Sequence, residues 1–197
     1  MKKRMIFLLT LFTTIVTAMS QARAEVVPDV SPYFHQSREA VKVLGTTLKN
    51  KLMLAMKNSG PEAAIAVCNT EALSLTHQVS REKGLTVSRT SLKYRNPVNA
   101  PGRWEQRVLT QFQERADKGE SLQDMEFGEL VSKNNELQFR YMKAIPTGKP
   151  CLTCHGTTIA TELKDLISAI YPDDEATDYR AGELRGAFSV IVPVSSE

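Results

Sequence analysis

The chain has 197 residues, 25 lysines and arginines against 22 acids for a formal charge of +3, and only three histidines and three cysteines. Four of the basic residues, Lys2, Lys3, Arg4 and Arg23, lie in the first 24 positions; the rest is close to neutral and has no basic stripe of the kind that binds nucleic acid. Beyond those positions no apolar run approaches the roughly 20 residues of a membrane-spanning helix, and neither repeats nor low-complexity tracts interrupt the chain.

The first 24 residues carry a targeting signal. Lys2 to Arg4 form a basic start, Met5 to Met19 an apolar stretch, and Ala22-Arg23-Ala24 a small-x-small cleavage site, the pattern of a secretory signal peptide cut after Ala24. The apolar stretch, about fifteen residues, is short for a retained anchor, and no cysteine near the cut could carry a lipid. Residues 25–197 are therefore expected to form a single domain in the periplasm, with no membrane span in the mature chain.

Val41, Leu44, Leu48, Leu52 and Met56 recur at three- and four-residue steps, so residues 35 to 58 read as an amphipathic helix that stops at Ser59-Gly60. Pro61 suits the first turn of a second helix and Gly84 its stop. Residues 85–91 alternate as a strand and residues 92–102 form a loop. Trp104, Val108 and Phe112 mark a helix over 103–118, and Leu137, Phe139 and Tyr141 a strand over 136–145. Leu163, Leu166, Ile167 and Ile170 mark a short helix closed by Pro172, and residues 186–194 a last strand. Helices first, then strands mixed with short helices, predict an α+β domain around an antiparallel sheet.

Within that layout "KPCLTCHGT", residues 149–157, holds two cysteines and a histidine. Cys151-Leu152-Thr153-Cys154-His155 is C-x-x-C-H, the attachment pattern of c-type haem. Thiols three residues apart on one turn can each form a thioether with a haem vinyl group, while the adjacent histidine reaches the iron. A disulfide, a thioredoxin-like dithiol and a zinc half-site are the competing readings. Zinc wants four ligands, with Cys68, His35 and His77 left to complete the set, and a dithiol centre gives no role to the histidine. With a signal peptide upstream, one covalently attached haem c is the expected cofactor.

His155 would then be one axial ligand and leave a second position on the iron. Cys68 shares a helical face with Ile65, Ala72, Leu75 and Val79 and points into the apolar core, either as a small buried hydrophobe or as a thiolate that ferric iron would favour. His77, nine residues on, lies about half a turn away on a continuous helix. His35 stands before the first helix, and Met53, Met56 and Met142 remain as thioether candidates.

The blocks "AAIAVCN" (63–69), "SRTSLKYRNPVNAPGRWE" (88–105), "KPCLTCHG" (149–156) and "YPDDEATDYRAGELRGAFSVIVPV" (171–194) resemble, in this order, a family of extracytoplasmic c-type haem domains with a PAS-like fold, found alone or as sensor input domains. The resemblance spans nearly all of residues 25–197. It implies thioether attachment through Cys151 and Cys154, with His155 and Cys68 as the two axial ligands.

Haem propionates need cations nearby; Arg89 and Arg95 come first, Arg185 third, with Arg180 also near the last strand. The acidic run Asp173-Asp174-Glu175 lacks the ordered ligand spacing of a calcium site and reads as a helix start or solvated turn. An iron held by two strong protein ligands has no vacant position for peroxidase or oxygenase chemistry, so no catalytic residue is assigned. Two functions follow. The domain senses redox state or a gas, nitric oxide or carbon monoxide, by release of Cys68; or it is a low-potential electron carrier that keeps both ligands. Turnover of a small oxyanion or peroxide is a third reading. The chain ends at Glu197 without an output segment, so sensing calls for a membrane-bound signalling partner and transfer for a redox partner protein.

Overall fold

The structure, a computed structural model, describes residues 28–194; the signal segment read over residues 1–24 lies outside the described residues. In chain order the elements are α1 (Ser31–Ala66), a π turn (Val67–Glu71), α2 (Ala72–Lys83), β1 (Thr86–Thr90), α3 (Arg103–Asp117), β2 (Glu126–Lys133), β3 (Glu136–Pro146), α4 (Leu152–His155), α5 (Thr161–Ile170) and β4 (Leu184–Val194).

The helix expected from residue 35 starts at Ser31, where Asp29 Oδ1 accepts the Ser31 N–H at 2.9 Å and Pro32 occupies the first turn. His35 is therefore on the helix rather than before it, and is exposed. The stop expected at Ser59-Gly60 is a kink: Gly60 takes φ 82 and ψ 179, and helix resumes through Pro61. Proline cannot donate to the preceding turn and crowds it, while glycine tolerates the positive φ that lets the chain step around it. The expected stop at Gly84 holds, in a left-handed cap with φ 65.

The sheet is antiparallel throughout, in the order β1-β4-β3-β2. Sequence periodicity misses β2. Its residues are half-buried from Glu126 to Val131, with exposed Ser132 and Lys133 at the tip, so it has no strong apolar alternation to detect. The turn that follows does carry a signal: Asn134 and Asn135 take φ 54 and 65, the paired positive values of a two-residue hairpin turn whose twist matches the strands.

Alternation along the central strands feeds two cores. Phe139 and Tyr141 of β3, with Val190 and Val192 of β4, pack on Ala40, Val41 and Leu44 of α1 and Val79 of α2. The next positions, Met142 and Ala144, face Val108, Leu109 and Phe112 of α3. Helices thus cover both faces, and the whole is the expected α+β arrangement of an antiparallel sheet with N-terminal helices. A smaller cluster of Ile65, Leu163, Ile167 and Tyr171 ties the end of α1 to α5. Among the described residues no helix is long and apolar enough to cross a membrane.

Candidate functional site

Pro150 opens the turn that carries the motif, Lys149–Cys151, which runs into α4. Gly156 closes it with its N–H on the Leu152 carbonyl at 2.9 Å. A Cβ at Gly156 would lie 2.5 Å from that carbonyl oxygen, so the sharp exit admits only glycine. The tight turn gathers Cys151, Cys154 and His155 on one wall of a cavity of about 260 Å³.

Residues 174–179 brace this turn from behind. The Tyr179 N–H donates to the His155 carbonyl at 2.9 Å and the Asp178 N–H to the Gly156 carbonyl at 3.3 Å. His155 Nδ1 lies 2.7 Å from the Ala176 carbonyl oxygen. A carbonyl only accepts, so Nδ1 carries the proton and Nε2 keeps its lone pair. Burial first, then the Arg185 and Arg95 charges, push the His155 pKa down to about 2, so the ring is neutral. A neutral imidazole with an occupied Nδ1 and a free Nε2 is the form that ligates a metal.

Cys68 stands on the wall formed by α1 and the π turn. Such single turns with one extra residue per repeat recur at functional sites. Nearby, Thr70 Oγ1 donates to the Ala66 carbonyl at 2.7 Å and the Tyr171 hydroxyl to Asn69 Oδ1 at 3.3 Å. Burial raises the Cys68 pKa, while Arg89, Arg95 and Arg185 pull it back, so in this structure the group is a thiol. It lines the cavity, whereas its face-mate Ile65 also joins the core beside α5.

The three arginines named from sequence line the same cavity but differ in what they hold. The Arg89 side chain makes no hydrogen bond or ion pair among the described residues, and burial lowers its pKa. Arg185 Nη1 donates to Ser91 Oγ at 3.2 Å and the Lys93 carbonyl at 3.3 Å, with its guanidinium 5.2 Å from the Tyr179 ring centre. Arg95 is committed to Asp174 and to the carbonyls of Cys154 and Ala176. Leu48, Leu52, Met56, Ile65 and Phe188 supply the apolar part of the lining.

Placement sorts the remaining candidates. His77, like His35, is exposed and off the cavity. Met53 is 40% exposed, and Met142 lies in the core on the α3 side of the sheet. Met56 does line the cavity. Although three thiols and an imidazole share it, among the described residues no three His, Cys, Asp or Glu side chains come together closely enough to hold a metal ion. Donors on separate elements rather than a converging cluster suit a group that fills the space between them. Asp174, read from sequence as part of a helix start or solvated turn, is instead buried against Arg95; its local sequence is acidic, and only the partner 79 residues away reveals its role. Tyr171 lines the site and Tyr179 backs it, without a sequence motif that marks either.

An α+β domain with an antiparallel sheet, and one cavity that collects the motif and Cys68, define the class of protein. The sequence model of the Tll0287-like family matches residues 11–193, and the chain belongs to this family. Among solved structures the chain is similar to one described as the cyanobacterial heme-protein Tll0287, at 24% identity and a TM-score of 0.63, over 85% of this chain and 98% of that one. A comparison with curated proteins gives no match.

Proposed function

We propose that the protein is a periplasmic cytochrome of c type, binding one haem through thioethers to Cys151 and Cys154, with His155 and Cys68 as axial ligands, and that it senses redox state or a gas such as nitric oxide or carbon monoxide. The single observation that carries this reading is that the C-x-x-C-H turn and Cys68 line one cavity from separate walls. Family membership and the described haem protein of the same fold support it.

The cavity suits the group on independent grounds. Its apolar residues match the macrocycle, and Arg89, a cation in the lining without a partner among the described residues, is what a propionate would complete. Arg185, bonded to neutral acceptors and to no carboxylate among the described residues, is the second candidate; Arg95 faces the cavity with most of its donors already engaged. When bound, haem iron would supply a one-electron couple and a coordination position for small gases.

The chain's own residues set the rest. His155 presents Nε2 as a neutral donor and is held from behind. Cys68 would give up its proton to hold ferric iron as a thiolate, a donor that would favour the oxidised state. With haem bound, Cys68 would be the ligand less favoured by reduced iron, and its release would shift the π turn and α2 toward a partner. A low-potential electron carrier that keeps Cys68 throughout is the alternative. Low-temperature spin resonance of the ferric protein, made with a cytochrome c maturation system, tests the ligand set: narrow g-spread in the wild type and its loss in Cys68→Ser are expected. An unchanged Cys68→Ser spectrum would transfer the sixth position to Met56. Rapid carbon monoxide binding after stopped-flow reduction supports sensing, and an unreactive ferrous form supports transfer.

A further inference from the structure

Beside His155, where Arg95 lines the cavity, lies a charge pair for which the ligand set above has no use. Arg95 and Asp174 form an ion pair at 2.9 Å with side chains only 10% and 9% exposed. Burying two charges costs desolvation that their mutual attraction barely returns, so such a pair is a poor device for stability alone. Its bonds show what it holds. Asp174 Oδ2 accepts from Arg95 Nε at 3.0 Å, and Asp174 Oδ1 accepts the Ala176 N–H at 2.9 Å. Arg95 Nη2 donates to the Cys154 carbonyl at 2.6 Å and to the Ala176 carbonyl at 3.3 Å. Ala176, fully buried, is thus gripped at its N–H by one partner and at its carbonyl by the other. That same carbonyl receives the proton of His155 Nδ1 at 2.7 Å.

We infer that Arg95 and Asp174 are positioning residues for His155: together they lock the Ala176 carbonyl in place, which fixes the imidazole in the tautomer that leaves Nε2 free. The chain of contacts is continuous, from the pair to Ala176 to Nδ1, and the Cys154 carbonyl ties the same arginine to the turn that bears the ligand. Outer-shell partners of a ligating histidine set its orientation and its strength as a donor. With either charge removed, Ala176 loses one of its two restraints, Nδ1 loses a fixed acceptor, and His155 becomes a weaker and less uniform donor.

The ligand role of His155 comes from the haem reading, but the tautomer can be tested without haem. In chain produced without the maturation system, ¹⁵N shifts of His155 report which nitrogen is protonated. Wild type is expected as the single Nδ1–H form, and Arg95→Gln and Asp174→Asn as mixtures. In haem-loaded protein the midpoint potential is expected to rise in both variants, since both weaken the donor, with more than one ferric low-spin species. The two substitutions change charge in opposite senses, so a simple Coulomb effect would move the two potentials in opposite directions; that result, or a pure Nδ1–H tautomer in both variants, overturns the inference. A merely structural role would lower stability and leave tautomer and potential alone. If Arg95→Gln does not accumulate, Arg95→Lys, which keeps the charge but loses the fork, is read the same way. Wild type that takes up no haem refutes the haem reading, and the tautomer result still decides this one.

Discussion

The two walls of the cavity are built to different standards of rigidity. The wall bearing Cys151, Cys154 and His155 is a tight turn closed by a glycine, docked on residues 174–179 by backbone bonds and backed by the buried Arg95–Asp174 pair. The wall bearing Cys68 is helical but irregular, with a kink at Gly60 upstream and a π turn at Cys68 itself. The ion pair it carries, Lys51–Glu71, has both side chains 45% exposed. A charge network backs His155, while Cys68 rides on a helix whose hydrogen-bond register is already disturbed. Of the two, the Cys68 wall is the less tightly held, with fewer buried polar contacts to disrupt.

Four experiments press on this contrast. The largest effect is expected from replacing Cys151 and Cys154 together by alanine: covalent haem is lost completely, read as the absence of a haem-stained band on a denaturing gel. A stained band from that variant would remove the rigid wall from the site altogether. Next, Asp174→Ala strands the Arg95 charge in the interior, which costs about 3–5 kcal/mol of stability in urea unfolding. A loss below about 1 kcal/mol would mean the pair is no more than a surface contact.

The third experiment is a pH series on the haem-free chain. The pKa of His155 is lowered by folding, from 6.5 to about 2. Between these values the unfolded chain binds the extra proton, so stability is full above 6.5 and falls as the pH drops through that window. Substituting His155→Gln should flatten the slope; Glu126, whose carboxyl is held low by Arg38, contributes loss of the same sign only at more acid pH. An equal slope in wild type and variant would show that the ring is not buried neutral. The smallest effect is expected on the other wall. Glu71→Gln breaks an exposed pair and should change stability by less than about 1 kcal/mol, with the difference vanishing in high salt. A larger, salt-independent loss would make the two walls equally rigid.

Much of the site is legible in the residue order. C-x-x-C-H is a local pattern whose geometry needs only one turn, so spacing alone groups Cys151, Cys154 and His155, and the glycine and proline around them name the turn. Helical periodicity places Leu48, Leu52 and Met56 on one face, and all three line the cavity. Strands with clear alternation are readable in the same way, and half-buried β2 is not, because period-two patterning fades where neither face is strongly apolar. Periodicity sets Cys68 on the inward face of its helix but assumes regular turns, and the π turn that carries it has no signature in composition.

What tertiary structure alone decided is which charges meet. Arg89, Arg95 and Arg185 are alike in sequence, yet one has no partner among the described residues, one is locked to Asp174, and one stacks on Tyr179. Asp174 sits in an acidic run that looks solvated, and it is buried because the loop it belongs to closes over Arg95 from 79 residues away. The amino-acid sequence by itself determined the chemistry on offer, since side-chain type and local spacing are short-range properties. The division of the site into a clamped wall and a less tightly held one arises from contacts distant along the chain, where burial sets the cost of leaving a charge alone and only the folded chain shows which charges are buried.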